Sequence, residues 1–370
     1  MGSTTASAAT KATGSPISFG TIAELTGPEA EPSVAAGLEA YVANWNAHGG
    51  YKGHRINLIV KDDALNPSMA ESEARSLVQE QGVVGMVIGG SLIDSLVNNQ
   101  YYISQGIGDL GGGSPTSYDP KIDFPVQNFN SSNGLVIPMK YAVLHGAKKI
   151  ALLTPPLGSA LQTAVNECNA YLAGTDAKLV VPTSLPFVPT AADIDGVLAQ
   201  MKAEGVDAVF GLLQGSTSEL LVQEANRQSF GPKNGIKYLF GDTTYAPSFA
   251  VPLTGAYSVA QALPWSDTSN PSVKAALAVV KEERVSPIDG FVASGYDYGA
   301  LLQDVLDKVH GPVTRASFIA AMEHSTSVTL PLAPIKLDLD KPSTDLEGGS
   351  AVESVHGSWV GVSPFLTSKY

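Results

Sequence analysis

Several small polar residues follow directly after predicted β-strands, and their types and spacing suit the binding of a small ligand. Gly111-Gly112-Gly113-Ser114 can present backbone N–H groups and a hydroxyl, a combination that suits a carboxylate, or it can be a simple turn. Ser91 can contact a ligand or cap the helix predicted from about Asp94. Asp242 can pair with a ligand ammonium or cap the turn after its strand. We take these loops as the candidate site, because ligands of open α/β sheets bind at the carboxyl ends of the strands.

A pair of adjacent acids, Asp62-Asp63, ends another predicted strand. Adjacent strand residues point to opposite faces, so the two carboxylates are poorly placed to share a catalytic proton. We therefore predict that this pair caps loops. Three aromatic residues, Tyr245, Trp265 and Phe291, can wall an apolar cleft, but a place in the core is the commoner role for such side chains.

Motifs for catalysis or cofactor binding are absent or out of context. Residues 106–111 match the dinucleotide fingerprint G-x-G-x-x-G, but a predicted helix precedes them, whereas the fingerprint joins a strand to a helix. There is no P-loop and no G-x-S-x-G elbow, and the six histidines lack metal-ligand spacing. Cys168 has no basic neighbour in the sequence and is predicted to be a small buried hydrophobe. We expect no cofactor, no metal and no enzymatic activity.

Composition narrows the classes of function further. The 370 residues carry 22 Lys plus Arg and 35 Asp plus Glu, a net charge of −13, which argues against binding to nucleic acid or an anionic membrane. No apolar run is long enough to span a bilayer. The single cysteine excludes an intrachain disulfide. Residues 1–16 are rich in Ser, Thr, Ala and Gly, and we expect a flexible leader without a secretory signal there.

The elements that must position these residues are short apolar strands that alternate with amphipathic helices, which predicts parallel βαβ units. Apolar residues recur from Val34 with helical spacing, and Asn66-Pro67 predicts a helix that starts with an asparagine cap. We predict strands at 17–23, 56–60, 83–88, 107–110, 149–153, 206–213, 238–241, 256–262, 335–339 and 355–362. Helices are predicted at 34–45, 67–81, 94–104, 160–172, 192–204, 218–229, 271–283, 295–309 and 314–323.

Two successive βα stretches predict an α/β fold with two doubly wound parallel-sheet lobes. Segments 124–132, 262–266 and 329–335 carry few helix signals and are candidate crossovers, so that the lobes would be joined by a three-crossover hinge. The predicted organisation is a leader at 1–16, lobe 1 at 17–127 plus 263–332, and lobe 2 at 128–262 plus 333–370.

A series of short motifs extends over nearly the whole chain. Leu25-Thr26-Gly27-Pro28 precedes Gly37, Asn44, Asn46 and Gly49-Gly50-Tyr51-Lys52-Gly53, and Val60-Lys61-Asp62-Asp63 and Asn66-Pro67 follow. Supporting matches are Val87-Ile88-Gly89, Gly113-Ser114-Pro115, and Phe291 with Gly295-Tyr296-Asp297. In this order the motifs resemble the type I periplasmic binding proteins of ABC transporters, and most of all the leucine/isoleucine/valine-binding branch. The resemblance runs from Ile17 to Trp359.

The resemblance implies a receptor that captures a small solute between two lobes and delivers it to a membrane permease. The solute would be an amino acid or a related aliphatic or aromatic acid. The protein would be a monomer in the periplasm or at the cell surface, with or without a lipid anchor, and would need no cofactor. Carried over by position, the solute-binding residues are Ser91, Leu92, Gly112, Gly113, Ser114, Leu157, Gln214, Asp242, Thr243 and Phe291.

The chain departs from that branch at several positions. Amino-acid binders carry an aromatic residue near Glu31-Pro32 and another near Leu157, and this chain has neither. Asp242 lies one position early for the acid that pairs with an α-ammonium, and Thr243 stands in its place. A disulfide of close relatives would join the positions of Leu65 and Leu92, which are leucines here. These departures leave open a bulkier or less zwitterionic solute.

Two rival functions remain open. A sensor domain of the same fold would use the same cleft to control a partner protein. A dehydrogenase of the doubly wound class would need a working dinucleotide fingerprint, and the match at 106–111 has the wrong context.

Overall fold

The computed structural model describes residues 12–26, 32–91, 93–112, 119–125, 133–155, 160–186, 188–213, 215–241, 245–339 and 348–367. The chain forms two compact units, each built from non-contiguous pieces. Unit 1 comprises Met1–Phe129, Ala275–Ser286 and Phe291–Thr344, and unit 2 comprises Asn130–Lys274, Pro287–Gly290 and Asp345–Tyr370.

Strands and helices alternate through most of the chain. The helices are α1 (Ser33–Ala47), α2 (Pro67–Arg75, continued by a π-helical turn over Ser76–Glu80), α3 (Asp94–Gln105), α4 (Asn133–Leu144), α5 (Ala160–Leu172), α6 (Ala191–Glu204), α7 (Gly215–Arg227), α8 (Pro247–Ala250), α9 (Pro271–Glu282), α10 (Gly290–Asp307) and α11 (Arg315–Glu323). The strands are β1 (Gly14–Ala23), β2 (His54–Asp62), β3 (Met86–Val87), β4 (Asp109–Gly111), β5 (Asp123–Pro125), β6 (Lys149–Thr154), β7 (Lys178–Ser184), β8 (Ala208–Gly211), β9 (Lys237–Phe240), β10 (Tyr257–Ala260), β11 (Val328–Thr329), β12 (Lys336–Leu337), β13 (Gly348–Val355), β14 (Ser358–Gly361) and β15 (Leu366–Thr367).

The main sheet of unit 1 has the strand order β2-β1-β3-β4-β5. Every neighbouring pair in it runs parallel. The carboxyl ends of these strands therefore meet at one edge, and the residues that follow Ala23, Asp62, Val87 and Gly111 come together there. Asn66 caps α2 as predicted, because its side chain accepts the N–H groups of the first helical turn.

Two glycines of the motif series bring α1 and α10 of unit 1 into close contact. A Cβ added at Gly37 would overlap the Val292 carbonyl oxygen, and one added at Gly295 would overlap the Val34 carbonyl oxygen. The two helices thus pack backbone against backbone, which only glycine permits. This part of the motif series serves packing.

The sheet of unit 2 has the order β14-β13-β10-β9-β8-β6-β7, and β15 pairs with β13. The path from β10 to β7 is parallel, whereas β13 and β14 run antiparallel. A core cluster that includes Leu152, Cys168 and Phe210 lies against this sheet. Cys168 is fully buried, which confirms its prediction as a core residue.

Several elements were missed by the sequence analysis, among them β5, α4 and β7. Strand β5 lies in the segment predicted as a crossover, and α4 contains Pro138, which removes a helical hydrogen bond and obscured its pattern. Strand β7 contains Pro182 and is compatible with it because β7 lies at the end of the sheet. The strand predicted at 83–88 is limited to Met86–Val87, and α10 begins at Gly290 instead of position 295.

Candidate functional site

Asp62 anchors the loop that follows β1. Its Oδ1 accepts the N–H groups of Leu25 (2.9 Å), Thr26 (3.3 Å) and Ala64 (2.9 Å), and its Oδ2 accepts the Thr26 hydroxyl (2.5 Å). Desolvation opposes ionisation of this carboxyl, but the hydrogen bonds outweigh it and hold the pKa of Asp62 below its usual value. The predicted capping role of Asp62 is confirmed.

Asp63 connects the ends of three strands, and it is fully buried. Its backbone N–H donates to the Ala23 carbonyl oxygen (3.1 Å) at the end of β1. Its Oδ1 accepts the Leu65 N–H (3.0 Å), in a turn where Ala64 and Leu65 both have positive φ (48° and 57°). Its Oδ2 accepts the Ser91 hydroxyl (2.5 Å) beyond β3. Asp63 therefore holds the turn after β2 and the loop after β3, as a loop cap would.

Ser91 stands at the head of α3. Its Oγ accepts the N–H groups of Ile93 (3.2 Å) and Asp94 (2.9 Å) and donates its proton to Asp63. Of the two roles that the sequence left open for Ser91, the structure shows the capping role. Contact with a solute through this residue stays a prediction.

Polar groups continue inward beneath the loops. The Asp94 Oδ1 accepts the Asn98 amide (2.7 Å) and the Tyr102 hydroxyl (2.8 Å). The Asp123 Oδ2 accepts the Asn99 amide (2.7 Å). Buried amide and hydroxyl donors thus face two of the carboxyl groups, which lowers the cost of placing acids inside the unit.

Asp94, Asp109 and Asp123 form an acidic cluster. None of the three forms an ion pair with a lysine or arginine that the structure describes. Burial is the main cause that raises the pKa of Asp94 to about 6 and that of Asp123 to about 6. Burial also raises the pKa of Asp109, and the charges of Asp94 and Asp123 raise it further. Part of the cluster is therefore protonated just below neutral pH.

Gly112 lies directly against this cluster. A Cβ added at Gly112 would overlap the Asp109 carboxylate, so the main chain approaches the buried acid more closely than any side-chain-bearing residue would allow. The first residue of the predicted anion loop is thus placed at the sheet edge by Asp109. The remainder of that loop, from Gly113 onward, lies outside the described residues.

The structure gives less information about the other predicted site residues. Phe291 is half-buried in the first turn of α10. The predicted residues outside the described part of the chain are Leu92, Gly113, Ser114, Leu157, Gln214, Asp242 and Thr243.

Two of the predicted aromatic residues belong to the core of unit 2. Tyr245 and Trp265 are buried, and the Tyr245 hydroxyl accepts the Trp265 backbone N–H (3.1 Å). The Trp265 indole N–H donates to the Asp289 carbonyl oxygen (2.7 Å). Both ring systems are held by hydrogen bonds at their polar atoms, as is usual for buried tyrosine and tryptophan.

The dinucleotide fingerprint at 106–111 has the opposite context from a cofactor site. Gly106 is left-handed (φ 60°) and ends α3, and the residues that follow enter β4. The segment therefore joins a helix to a strand, the reverse of the cofactor turn.

The acidic cluster was missed by the sequence analysis. The signal was present at Asp109, an acid inside the short apolar run Ile107–Leu110. Asp94 and Asp123 gave no comparable signal, because a first-turn acid and an acid near a turn are both common on surfaces.

Two kinds of feature are absent from the described residues. No group of three or more His, Cys, Asp or Glu side chains is arranged to hold a metal ion. No helix among those residues has the length and apolar character of a membrane span.

The family of the chain follows from comparison with known proteins. A model of the periplasmic binding proteins matches residues 16–345. The chain belongs to the periplasmic binding protein family. Among curated proteins, Leu/Ile/Val-binding protein homolog 7 of Brucella suis biovar 1 is 25% identical to this binding protein, in an alignment of 231 positions that covers 58% of this chain. The chain spans 57% of the length of that relative.

Solved structures show the fold of this binding protein. An ABC transporter solute-binding protein from R. palustris, in complex with 4-hydroxybenzoate, matches with a TM-score of 0.75 and 18% identity, over 95% of this chain and 96% of that one. The fatty acid ABC transporter substrate-binding protein from Thermomonospora curvata matches with a TM-score of 0.71 and 18% identity, over 96% and 93% of the two chains. The predicted two-lobe, type I α/β fold is confirmed.

Proposed function

We propose that this binding protein is the extracytoplasmic solute receptor of an ABC importer, that it is not an enzyme, and that it binds a small carboxylate-bearing solute for delivery to a permease. The observation that carries the proposal is the family match over residues 16–345. Two of the structural relatives support the solute class, because one is in complex with 4-hydroxybenzoate and the other is described as a fatty acid receptor. We further propose a monomer that acts in the periplasm or at the cell surface.

The proposed carboxylate site is the carboxyl edge of the unit 1 sheet. Main-chain N–H groups at Leu92, Gly112 and Gly113 and the hydroxyl of Ser114 would hold the acid. The close contact between Gly112 and the Asp109 carboxylate supports this proposal, because it fixes the start of the loop that follows β4. Roles for Leu157, Gln214, Asp242, Thr243 and Phe291 in holding the rest of the solute stay predictions.

Thermal unfolding of the purified protein against 4-hydroxybenzoate, octanoate, leucine, phenylalanine and a neutral polyol tests the proposal. A ligand that binds only the folded state stabilises it by about 2.7 kcal/mol at a hundredfold excess over Kd. For a protein of this size we expect the unfolding midpoint to rise by a few degrees with at least one acid and to stay constant with the polyol. Constant midpoints with all four acids would contradict the proposed solute class.

Two substitutions then separate the classes of acid. Ser114→Ala is expected to weaken every carboxylate that binds about tenfold, because a charge-assisted hydrogen bond is worth roughly 1.5–3 kcal/mol. Asp242→Ala is expected to weaken leucine but not 4-hydroxybenzoate, since only leucine has an ammonium. Ser76→Ala, which removes a surface hydroxyl that bonds to Glu80, serves as the control. If Ser114→Ala and Asp242→Ala bind the acids as tightly as the wild type and the Ser76→Ala control do, the proposed site is wrong. The proposed receptor role would not be affected by that result.

A further inference from the structure

The Ser91 hydroxyl has no hydrogen-bonding capacity left for a solute. A serine hydroxyl has one proton to donate and two lone pairs that accept. The proton lies on the 2.5 Å hydrogen bond to the Asp63 Oδ2, and the lone pairs accept the N–H groups of Ile93 and Asp94 at 3.2 and 2.9 Å. A solute carboxylate would need that same proton.

Asp63 determines where the Ser91 proton goes. The Ser91 hydroxyl is the donor of the hydrogen bond between the two residues, and the Asp63 Oδ2 is its acceptor. The carboxylate is also held in place, because its Oδ1 accepts the Leu65 N–H at 3.0 Å and its own backbone N–H donates to the Ala23 carbonyl oxygen at 3.1 Å. Asp63 is fully buried, so water does not compete for the contact.

We propose that Asp63 is a positioning residue of the solute site. By accepting the Ser91 proton, Asp63 turns Ser91 from a solute donor into a clamp that fixes the head of α3. Ser91 then offers no hydroxyl proton to a solute. The proposal rests on the proposed receptor function, and it differs from the direct solute contact that the family resemblance implies for Ser91.

A double-mutant cycle separates the clamp from direct contact. The probes are 4-hydroxybenzoate and leucine, and calorimetry gives Kd for the wild type, Asp63→Ala, Ser91→Ala and the double variant. If both residues form one clamp, each single change weakens the bound probe about tenfold and the double change weakens it no further. If Ser91 contacts the solute and Asp63 only stabilises the fold, Asp63→Ala leaves Kd unchanged and the double variant binds as Ser91→Ala does. An unchanged Kd in Asp63→Ala, or effects that multiply to about a hundredfold, would overturn the proposal.

Asp297 offers a matched control in the same unit. Its buried carboxylate accepts the N–H groups of Leu332 (2.9 Å) and Ala333 (2.7 Å) and has no contact with Ser91. Asp297→Ala therefore removes a comparable buried acid without touching the clamp. Combined with Ser91→Ala, its effect on Kd is expected to multiply.

Hydrogen exchange tests the clamp without any ligand. The amides of Ile93 and Asp94 are expected to exchange about tenfold faster in Asp63→Ala and in Ser91→Ala, with no further increase in the double variant. Ser91→Thr keeps the hydroxyl and should restore slow exchange. Unchanged exchange at both amides in Asp63→Ala would disprove the clamp. Failure of the wild type to bind either probe would instead count against the proposed solute class, and exchange would still decide on the clamp.

A second variant covers the case in which Asp63→Ala does not fold. Asp63→Asn keeps an oxygen for the Leu65 N–H and loses the acceptor that faces the Ser91 proton. We expect exchange at Ile93 and Asp94 to be faster than in the wild type, by about threefold. Wild-type rates in this variant would show that the carboxylate does not hold the loop.

Discussion

The two units differ in the polar groups that they bury. Among the described residues of unit 1, half of the buried polar side chains are acids and the rest carry hydroxyl or amide groups, whereas in unit 2 nearly all carry hydroxyl groups. The fully or nearly fully buried acids of unit 1 are Glu24, Asp63, Asp109, Asp123 and Asp297. The buried polar residues among the described part of unit 2 are Thr154, Thr217, Ser218, Ser258, Ser350, Ser354 and one acid, Asp289.

The difference shows two ways of holding a chain in place. A buried carboxylate accepts several backbone N–H groups at once, as Asp297 does for the segment at Leu332, and so fixes loops between distant elements. A buried hydroxyl makes fewer bonds, such as that of Ser258 to the Gly241 carbonyl oxygen (2.9 Å). Unit 1 thus gains fixed loops at its sheet edge, and its stability becomes sensitive to pH.

The largest expected difference in stability between substitutions in the two units concerns helix packing. Gly295→Ala in unit 1 would force a Cβ against the Val34 carbonyl oxygen and is expected to cost about 3 kcal/mol or more. Gly196→Ala in helix α6 of unit 2 meets no atom within 4 Å and is expected to stabilise by about 0.5–1 kcal/mol. Urea unfolding measures both, and a Gly295→Ala variant as stable as the wild type would disprove the close packing of α1 and α10.

A smaller effect is expected from an arginine in each unit. The Arg315 guanidinium of unit 1 donates to the carbonyl oxygens of Val78 (3.0 Å), Val83 (3.3 Å) and Gln105 (3.2 Å), so Arg315→Ala should cost about 2 kcal/mol. Arg227 of unit 2 pairs with acids on an exposed surface, where solvent screens the charges, so Arg227→Ala should cost clearly less than Arg315→Ala. Urea unfolding of both variants tests the prediction, and equal costs would contradict it.

The smallest expected effect is the loss of stability of unit 1 as the pH rises and the acidic cluster ionises. A carboxyl whose folded pKa is raised stabilises fully below its unfolded pKa of about 4, and the stabilisation is lost as the pH rises through the folded value of about 6. From pH 5 to pH 8, Asp94 and Asp123 should each lose about 1 kcal/mol of this stabilisation. Hydrogen exchange of β4 against that of β8 in unit 2 measures the difference, after correction for the intrinsic rate. Asp109→Asn should reduce the loss, and an unchanged pH dependence would argue against the cluster as its source.

The fold was predictable from the sequence where local signals agree. The Asn66-Pro67 start of α2, the bounds of α5 and the capping role of Asp62-Asp63 were all predicted, because caps and apolar periodicity are properties of neighbouring residues. Elements with a proline inside them were not, since Pro138 and Pro182 contradict the local pattern and only their tertiary setting accommodates them.

Less of the candidate site could be predicted. The sequence placed Ser91 and Gly112 at strand ends, which is where the structure has them. It gave no sign that the Ser91 proton goes to Asp63, 28 residues away, or that Gly112 rests on Asp109. Such contacts depend on how parallel strands line up at one sheet edge, and no local periodicity encodes that register.

The edge strand β7 has two features that oppose strand pairing between copies of this protein at high concentration. Its pairing with β6 is irregular, because Ile150 and Ala151 face Leu179 and Val181 and leave Val180 as a bulge, and Pro182 follows two positions later. A bulge and a proline both disrupt the row of backbone groups that another chain would use to add a strand. Unit 2 thus carries at this edge a built-in protection against edge-to-edge aggregation.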